Sequence, residues 1–262
     1  MKEFGNYILS RVPKIYANIL RLKGNFNLEK ILFLNLVKDG DIVFDIGANQ
    51  GYYTILFSHL VGKQGEVHAF EPVLPTFEEL SKEIFKHKRY NNVYLNNTAV
   101  SDTEGTMNMY MPANDHRQSS LKTHNAGSWL NAKNIEKYEV KVIKIDEYVQ
   151  SMQKKRLNFI KLDVEGAELL ALKGGKEAIS KYLPIIYLEV CLDWTKNFDY
   201  KPIDLVEFLT SLGYSNFYLL ANKFERLTDI TESVWKNDFY SANLLCTRND
   251  HHIRINHLIN GK

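Results

Sequence analysis

Residues 41–51 read Asp-Ile-Val-Phe-Asp-Ile-Gly-Ala-Asn-Gln-Gly, and the fold is decided by how this stretch is read. The run from Asp41 to Ile46 has the makeup of a buried strand. A turn bounded by Gly47 and Gly51 follows, and Tyr52 to Val61 then reads as a helix closed by Gly62. Both turn glycines permit conformations and close approaches that a β-carbon would obstruct. A strand, a slim turn and a helix in that order let a ligand lie against the strand's carboxyl end and the helix N-terminus.

Downstream, the same alternation repeats. Strands are predicted at Glu66 to Glu71, near Val93 to Val100, at Asn158 to Asp163, Ile185 to Val190, Ser215 to Ala221 and Ser241 to Thr247. Helices are predicted from about Thr76 to His87, then at Gly166 to Leu172, Gly175 to Tyr182 and Ile203 to Leu212. The β-α-β rhythm argues for an α/β domain with a mostly parallel sheet covered by helices on both faces.

One region breaks the rhythm. Between Asp102 and Val149, Gly105 to Met111 and Glu139 to Ile145 alternate as strands do, around a polar loop from Asn114 to Asn134. Insertions of this length are usually functional. Its His116, Ser119, Ser120 and His124 are therefore expected to face the substrate.

Upstream, Leu28 to Val37 reads as an apolar helix that stops near Gly40. Before it, Met1 to Gly24 carries five basic residues against Glu3, with Tyr7, Ile8, Val12, Ile15, Ile19 and Leu22 at helical spacing. Residues 1–39 thus form an N-terminal helical segment, and 40–262 one domain with an insertion around 102–149. Two readings of the first segment stay open, a lid packed on the domain and a contact with a substrate or, peripherally, with an anionic membrane surface.

The net charge of +2 leaves no electrostatic footprint for nucleic acid. Cys191 and Cys246 sit in apolar runs without a paired or metal-like spacing, which fits a reducing, cytoplasmic setting. No run approaches the roughly 20 apolar residues that span a bilayer. Arg11, Pro13 and Lys14 also interrupt any signal-peptide pattern.

The chemistry of the turn narrows its ligand. A dinucleotide site favours G-x-G-x-x-G, but Asn49 holds the middle position. NAD or FAD, and with them a dehydrogenase, rank last. S-adenosylmethionine carries no phosphate and has no need of that arrangement, and Asp45 suits its ammonium end directly or through water. Twenty residues beyond Gly51 the second strand ends in Glu71, ahead of Pro72. A carboxylate there can accept hydrogen bonds from both ribose hydroxyls.

Four blocks, Asp45-Ile46-Gly47-Ala48-Asn49-Gln50-Gly51, Phe70-Glu71-Pro72, Ala99-Val100-Ser101-Asp102 and Ile160-Lys161-Leu162-Asp163-Val164-Glu165-Gly166-Ala167-Glu168, resemble the FkbM methyltransferases. Ser119-Ser120-Leu121 and Ile145-Asp146, ahead of a helix, add to the likeness. The resemblance covers roughly residues 40 to 190. It implies a seven-strand, Rossmann-like class I methyltransferase sheet, S-adenosylmethionine as donor, and O-methylation of a sugar, secondary metabolite or other small molecule. The implied cofactor residues are Asp45, Gly47, Asn49, Gly51, Tyr53, Glu71, Pro72, Ala99, Ser101 and Asp163.

The acidic block supplies the candidate catalytic groups. With a helix beginning at Glu165, Glu165 and Glu168 share a face. Negative charge at a helix N-terminus is stabilising by about 0.3–1 kcal/mol, which accounts for one carboxylate but not for three. Asp163 is the first choice for orienting or deprotonating an acceptor, supported by Glu165 and Glu168, with Glu189 nearby at the end of the fifth strand. No metal ligand is assigned, and Mg²⁺ on these carboxylates is the less favoured alternative. His116 and His124 are alternative bases, while His251, His252 and His257 lack zinc spacing. Beside the O-methyltransferase stand two other readings, an N-methyltransferase and a non-catalytic binding protein that keeps the fold.

Overall fold

The computed structural model describes residues 28–86, 90–113, 115, 118–125, 127–220, 224–228 and 241–248. The segment 1–27, His116 and the C-terminal histidines lie outside the described residues.

Helix α1 (Leu28–Leu36) leads into β1 (Ile42–Ile46), α2 (Tyr52–Val61), β2 (Glu66–Phe70), α3 (Leu74–Phe85) and β3 (Val93–Asn96). The insertion holds β4 (Ala99–Val100), β5 (Gly105–Pro112) and β6 (Ile135–Ile143), followed by α4 (Ile145–Ser151). Next come β7 (Phe159–Leu162), α5 (Glu168–Lys173), α6 (Lys176–Tyr182) and β8 (Ile185–Cys191). The chain ends with α7 (Leu192–Asn197), α8 (Pro202–Ser211), β9 (Asn216–Leu220), β10 (Phe224–Arg226) and β11 (Ser241–Thr247).

The main sheet runs β10-β9-β11-β8-β7-β1-β2-β3. Pairing is parallel from β3 to β8 and antiparallel where β11 inserts between β8 and β9. This is the Rossmann-like class I methyltransferase arrangement. It carries eight strands among the described residues, not the expected seven. The addition is β10, a three-residue antiparallel edge on β9, too short to leave a pattern in the sequence.

The expected strand from Val93 to Val100 divides in two. Asn97 Nδ2 donates to both Glu71 O and Pro72 O at 2.9 Å, holding the chain in a turn. Beyond it Ala99 and Val100 leave the main sheet and pair with β6. The insertion is accordingly a small sheet of its own, β4-β6-β5, in which β5 and β6 pair from Gly105↔Val142 to Pro112↔Ile135.

Side-chain alternation sorts the main sheet into two apolar layers. Val43, Phe159, Ile185 and Tyr187 pack against α1 and α2, while Ile42, Phe44, Ile46, Ile160, Ile186 and Leu188 pack on the other face. Phe33 of α1 sits at the centre of the first layer, with its ring 5.1 Å from Phe57, 5.7 Å from Phe159 and 4.8 Å from Tyr187. Edge-on contacts of this kind add to area burial. Cys191 and Cys246 are buried free thiols. No helix among the described residues is long and apolar enough to cross a membrane.

Candidate functional site

The carboxyl ends of β1, β2 and β7 open into a cleft lined by Gly47, Asn49, Glu71, Pro72, Ala99, Asp163 and Glu165, with Ser119 and Leu121 from the insertion. Gly47 makes the close packing of its floor feasible. Its φ is +81°, and a β-carbon there would lie 1.8 Å from Asp163 O. Asp163 N–H in turn donates to Ile46 O at 3.0 Å, so the two turns are built against each other.

Glu71 is buried in the cleft wall. Its Oε2 accepts from Asn49 N–H and its Oε1 from Val73 N–H, both at 3.0 Å. Asn49 reaches this position with φ +48°, a left-handed conformation asparagine tolerates better than most residues. Burial pushes the Glu71 carboxyl up to about 7, against the lowering pull of the two N–H donors. Each oxygen keeps a further lone pair. The Thr98 hydroxyl, also on the cleft wall, is buried without a hydrogen-bond partner among the described residues.

Of the acidic residues, Asp163 and Glu165 line the cleft and Glu189 does not, but each of the three brings a carboxylate oxygen within 4.8 Å of the others. Lys161 Nζ donates to Asp163 Oδ2 at 3.1 Å and lies 3.6 Å from Asp45 Oδ1. Burial alone would depress the Lys161 ammonium, but the Asp163 and Asp45 charges outweigh it and raise its pKa. Burial, then the charges of Asp163 and Glu168, push Glu189 up to about 8, while Ser241 donates to its Oε1 at 3.2 Å. Glu165 is raised well above the carboxylate range by burial and by the negative charges of Glu189, Asp163, Glu168 and Asp115. Its φ of +53° is a strained conformation for glutamate, costing on the order of 1–3 kcal/mol. Raised carboxyl groups crowded together can share a proton, and their oxygens are also the donor type that a hard divalent cation takes.

Of the ten expected cofactor residues, Gly47, Asn49, Glu71, Pro72, Ala99 and Asp163 line this cleft, while Asp45, Gly51, Tyr53 and Ser101 do not. Strand parity explains Asp45. It shares a face with Val43, under α2, where Thr54 Oγ1 donates to its Oδ2 at 2.6 Å. Gly51, at φ +88°, starts α2. Tyr53 donates its hydroxyl to Glu29 of α1 and lies under the Lys161 ammonium, 5.3 Å from the ring centre. Buried Ser101 donates to Asp102 Oδ1 at 3.2 Å.

Glu168 differs from the sequence expectation. Its helix begins at Glu168 itself, because Gly166 holds φ +102° and interrupts any helix starting at Glu165. The two glutamates therefore do not share a helical face. Glu168 is buried, with Oε1 accepting from Val164 N–H at 3.1 Å and Gly166 N–H at 3.3 Å, and Oε2 accepting from Tyr200 Oη at 3.2 Å. These contacts shape the turn. In the insertion, Ser119 lines the cleft, whereas Ser120 and His124 bond to the carbonyl of Glu165.

Sequence reading missed Lys161 and Thr98. Lys161 carried a usable signal, a lone ammonium inside the apolar strand Phe159–Leu162, where burial without a partner carboxylate would be prohibitive. For Thr98 there was none.

Comparison with known proteins follows the same blocks. Residues 45–215 match the methyltransferase FkbM domain. The 31-O-demethyl-FK506 methyltransferase FkbM of Streptomyces tacrolimicus is 27% identical over 164 residues, covering 54% of this chain and 62% of that protein. The hexuronic acid methyltransferase AglP of Haloferax volcanii is 27% identical over 173 residues, covering 66% of this chain and 65% of that protein. The chain thus spans less than two thirds of the length of either relative. A crystal structure of the methyltransferase FkbM from Methylobacillus flagellatus KT is similar at 15% identity and a TM-score of 0.47, covering 88% of this chain and 53% of that one. With strands β2, β3, β7 and β8 and both turns of the cleft inside the matched domain, the chain belongs to the FkbM methyltransferase family.

Proposed function

We propose that this chain transfers a methyl group from S-adenosylmethionine to a hydroxyl oxygen of a small molecule or carbohydrate. The observation that carries the reading is a single cleft lined by Glu71, Asp163 and Glu165, with the Glu189 carboxylate within 4.8 Å of the last two. Glu71 can accept two ribose hydroxyls on its remaining lone pairs, and the buried Thr98 hydroxyl offers a further polar contact beside them. When bound, S-adenosylmethionine supplies a methyl group on a sulfonium, open to in-line displacement.

Asp163, held by Lys161, orients the acceptor hydroxyl. Good alignment of this kind can account for about 7–11 kcal/mol of a barrier. The Glu165–Glu189 pair takes up the hydroxyl proton as the oxygen–methyl bond forms. A carboxyl raised toward neutrality is well matched to that task, and general-base catalysis contributes about 10²–10⁴-fold. The relatives' names, one a 31-O-demethyl compound and the other a hexuronic acid, support an oxygen-rich acceptor.

The test is to incubate the protein with S-adenosylmethionine and a panel of neutral glycosides, hexuronates and amino sugars, reading products by mass spectrometry. A hydroxyl-methylated product is expected. Methylation only of amines would replace oxygen by nitrogen as the acceptor atom, and no product from a protein that binds the cofactor would favour a binding role. The 4.8 Å carboxylate cluster favours a second reading, a bound divalent cation. Activity lost on chelation and restored by Mg²⁺ would substitute that cation for the shared proton.

A further inference from the structure

Glu165 and Gly166 hold successive positive φ values, +53° and +102°. Such a pair turns the peptide between them, and the Glu165 carbonyl must then find donors off the helix. It finds two in the insertion. Ser120 Oγ donates to Glu165 O at 2.7 Å, and His124 Nε2 lies 3.1 Å from the same oxygen.

Both donors are themselves fixed. Ser120 exchanges backbone bonds with Tyr110 of β5, at 2.8 and 2.9 Å. Asn197 Nδ2, which also donates to Asp193 O at 3.3 Å, lies 2.7 Å from His124 Nδ1. Nδ1 is therefore the acceptor, and Nε2 carries the proton offered to Glu165. The buried imidazole packs 4.2 Å from the Trp194 ring and 5.2 Å from Trp129. Phe198 closes the other side of the turn, 2.8 Å from where a β-carbon on Gly166 would stand.

We propose that Ser120 and His124 are positioning residues that clamp the Glu165 carbonyl, hold its left-handed backbone, and so keep its carboxylate at the cleft. Asn197 sets the tautomer that lets His124 donate. The insertion thereby acts on the acidic turn through the backbone, while Ser119 lines the cleft and Ser120 and His124, the other two described residues expected to face the substrate, do not.

The functional consequence rests on the S-adenosylmethionine reading. A correctly aimed Glu165, which shares one proton and so one negative charge with Glu189, favours the cationic sulfonium over its neutral thioether product. Purely structural residues would weaken both ligands alike. Calorimetric dissociation constants for S-adenosylmethionine and S-adenosylhomocysteine, measured on the full chain, separate these roles.

Ser120→Ala, a small change at a buried site, is expected to weaken S-adenosylmethionine roughly tenfold, with the homocysteine product changed less than about threefold. His124→Phe should do the same, and His124→Gln, whose amide N–H can reach the carbonyl, should return the ratio to within about threefold of wild type. Adding Ser120→Ala to Glu165→Gln should change the ratio no further, because both act through one group. Unchanged ratios in the single variants, or additive effects in the double variant, would overturn the clamp. Wild-type protein that binds neither ligand would overturn the methyltransferase reading and this role together.

Discussion

The turns after β1 and β7 lie side by side at one sheet edge, tied by the Asp163 N–H to Ile46 O bond, and they treat carboxylates in opposite ways. Around the first, each oxygen of Glu71 is met by a backbone N–H at 3.0 Å. Around the second, three carboxylates crowd within 4.8 Å, and the Lys161 ammonium bonds to one of them. The first turn is built to hold a ligand in one geometry. The second keeps charge unmatched and backbone strained, which is how groups with raised proton affinity are arranged. Glu168 shows that the crowding is selective. Only three residues after Glu165, it spends its oxygens on Val164, Gly166 and Tyr200.

The largest expected effect breaks the chemistry while sparing binding of the product. Glu165→Gln and Glu189→Gln should each slow methyl transfer by about 10²–10⁴-fold, with the affinity for S-adenosylhomocysteine within about threefold of wild type. Single-turnover kinetics beside calorimetry would show it. Equal loss of rate and affinity would erase the distinction between the turns.

Next in size is the contact between the turns. Gly47→Ala puts a β-carbon 1.8 Å from Asp163 O at a φ of +81°, and should destabilise the protein by about 3 kcal/mol. For a domain of this size that is a fall of roughly 6–12 °C in Tm. A Tm within about 2 °C of wild type would mean that the turns are not packed as described.

The smallest effect concerns pH. Glu71 and Glu168 are raised to about 7 and Glu189 to about 8, chiefly by burial. Between the ordinary carboxylate value and these raised ones, the unfolded chain has released protons that the folded protein still holds. Stability is therefore fully present at low pH and is lost as pH rises from about 4.5 through about 8. The Tm of the ligand-free protein should fall across that window, and Glu168→Gln should flatten the slope. A Tm that rises over the same range would contradict the assigned directions.

How far the sequence revealed these turns follows from what each depends on. The first is local. Gly47, Asn49 and Glu71 stand at the ends of neighbouring strands, and spacing alone brings them together. Asp45 was misplaced by the same local reading, although alternation with Val43 puts it on the face under α2. The second turn depends on what is distant. Nothing about a glutamate announces φ +53°, so the helix is expected from Gly166, two residues early. Its carbonyl partners lie 45 and 41 positions away in the chain, in a loop whose polar composition suggested substrate contact. The extra edge strand β10 likewise exists only through β9.

The central claim is that the ordered turn holds the adenosyl cofactor through Glu71. The most direct measurement is calorimetric titration of the protein with S-adenosylhomocysteine, with NAD as control, in wild type and Glu71→Ala. Losing two hydrogen bonds to a buried carboxylate should weaken binding by about 10²-fold or more. Micromolar binding of S-adenosylhomocysteine, no response to NAD, and that loss in Glu71→Ala are the predicted result. Wild-type affinity in Glu71→Ala, or binding of NAD in place of the adenosyl ligand, would contradict it.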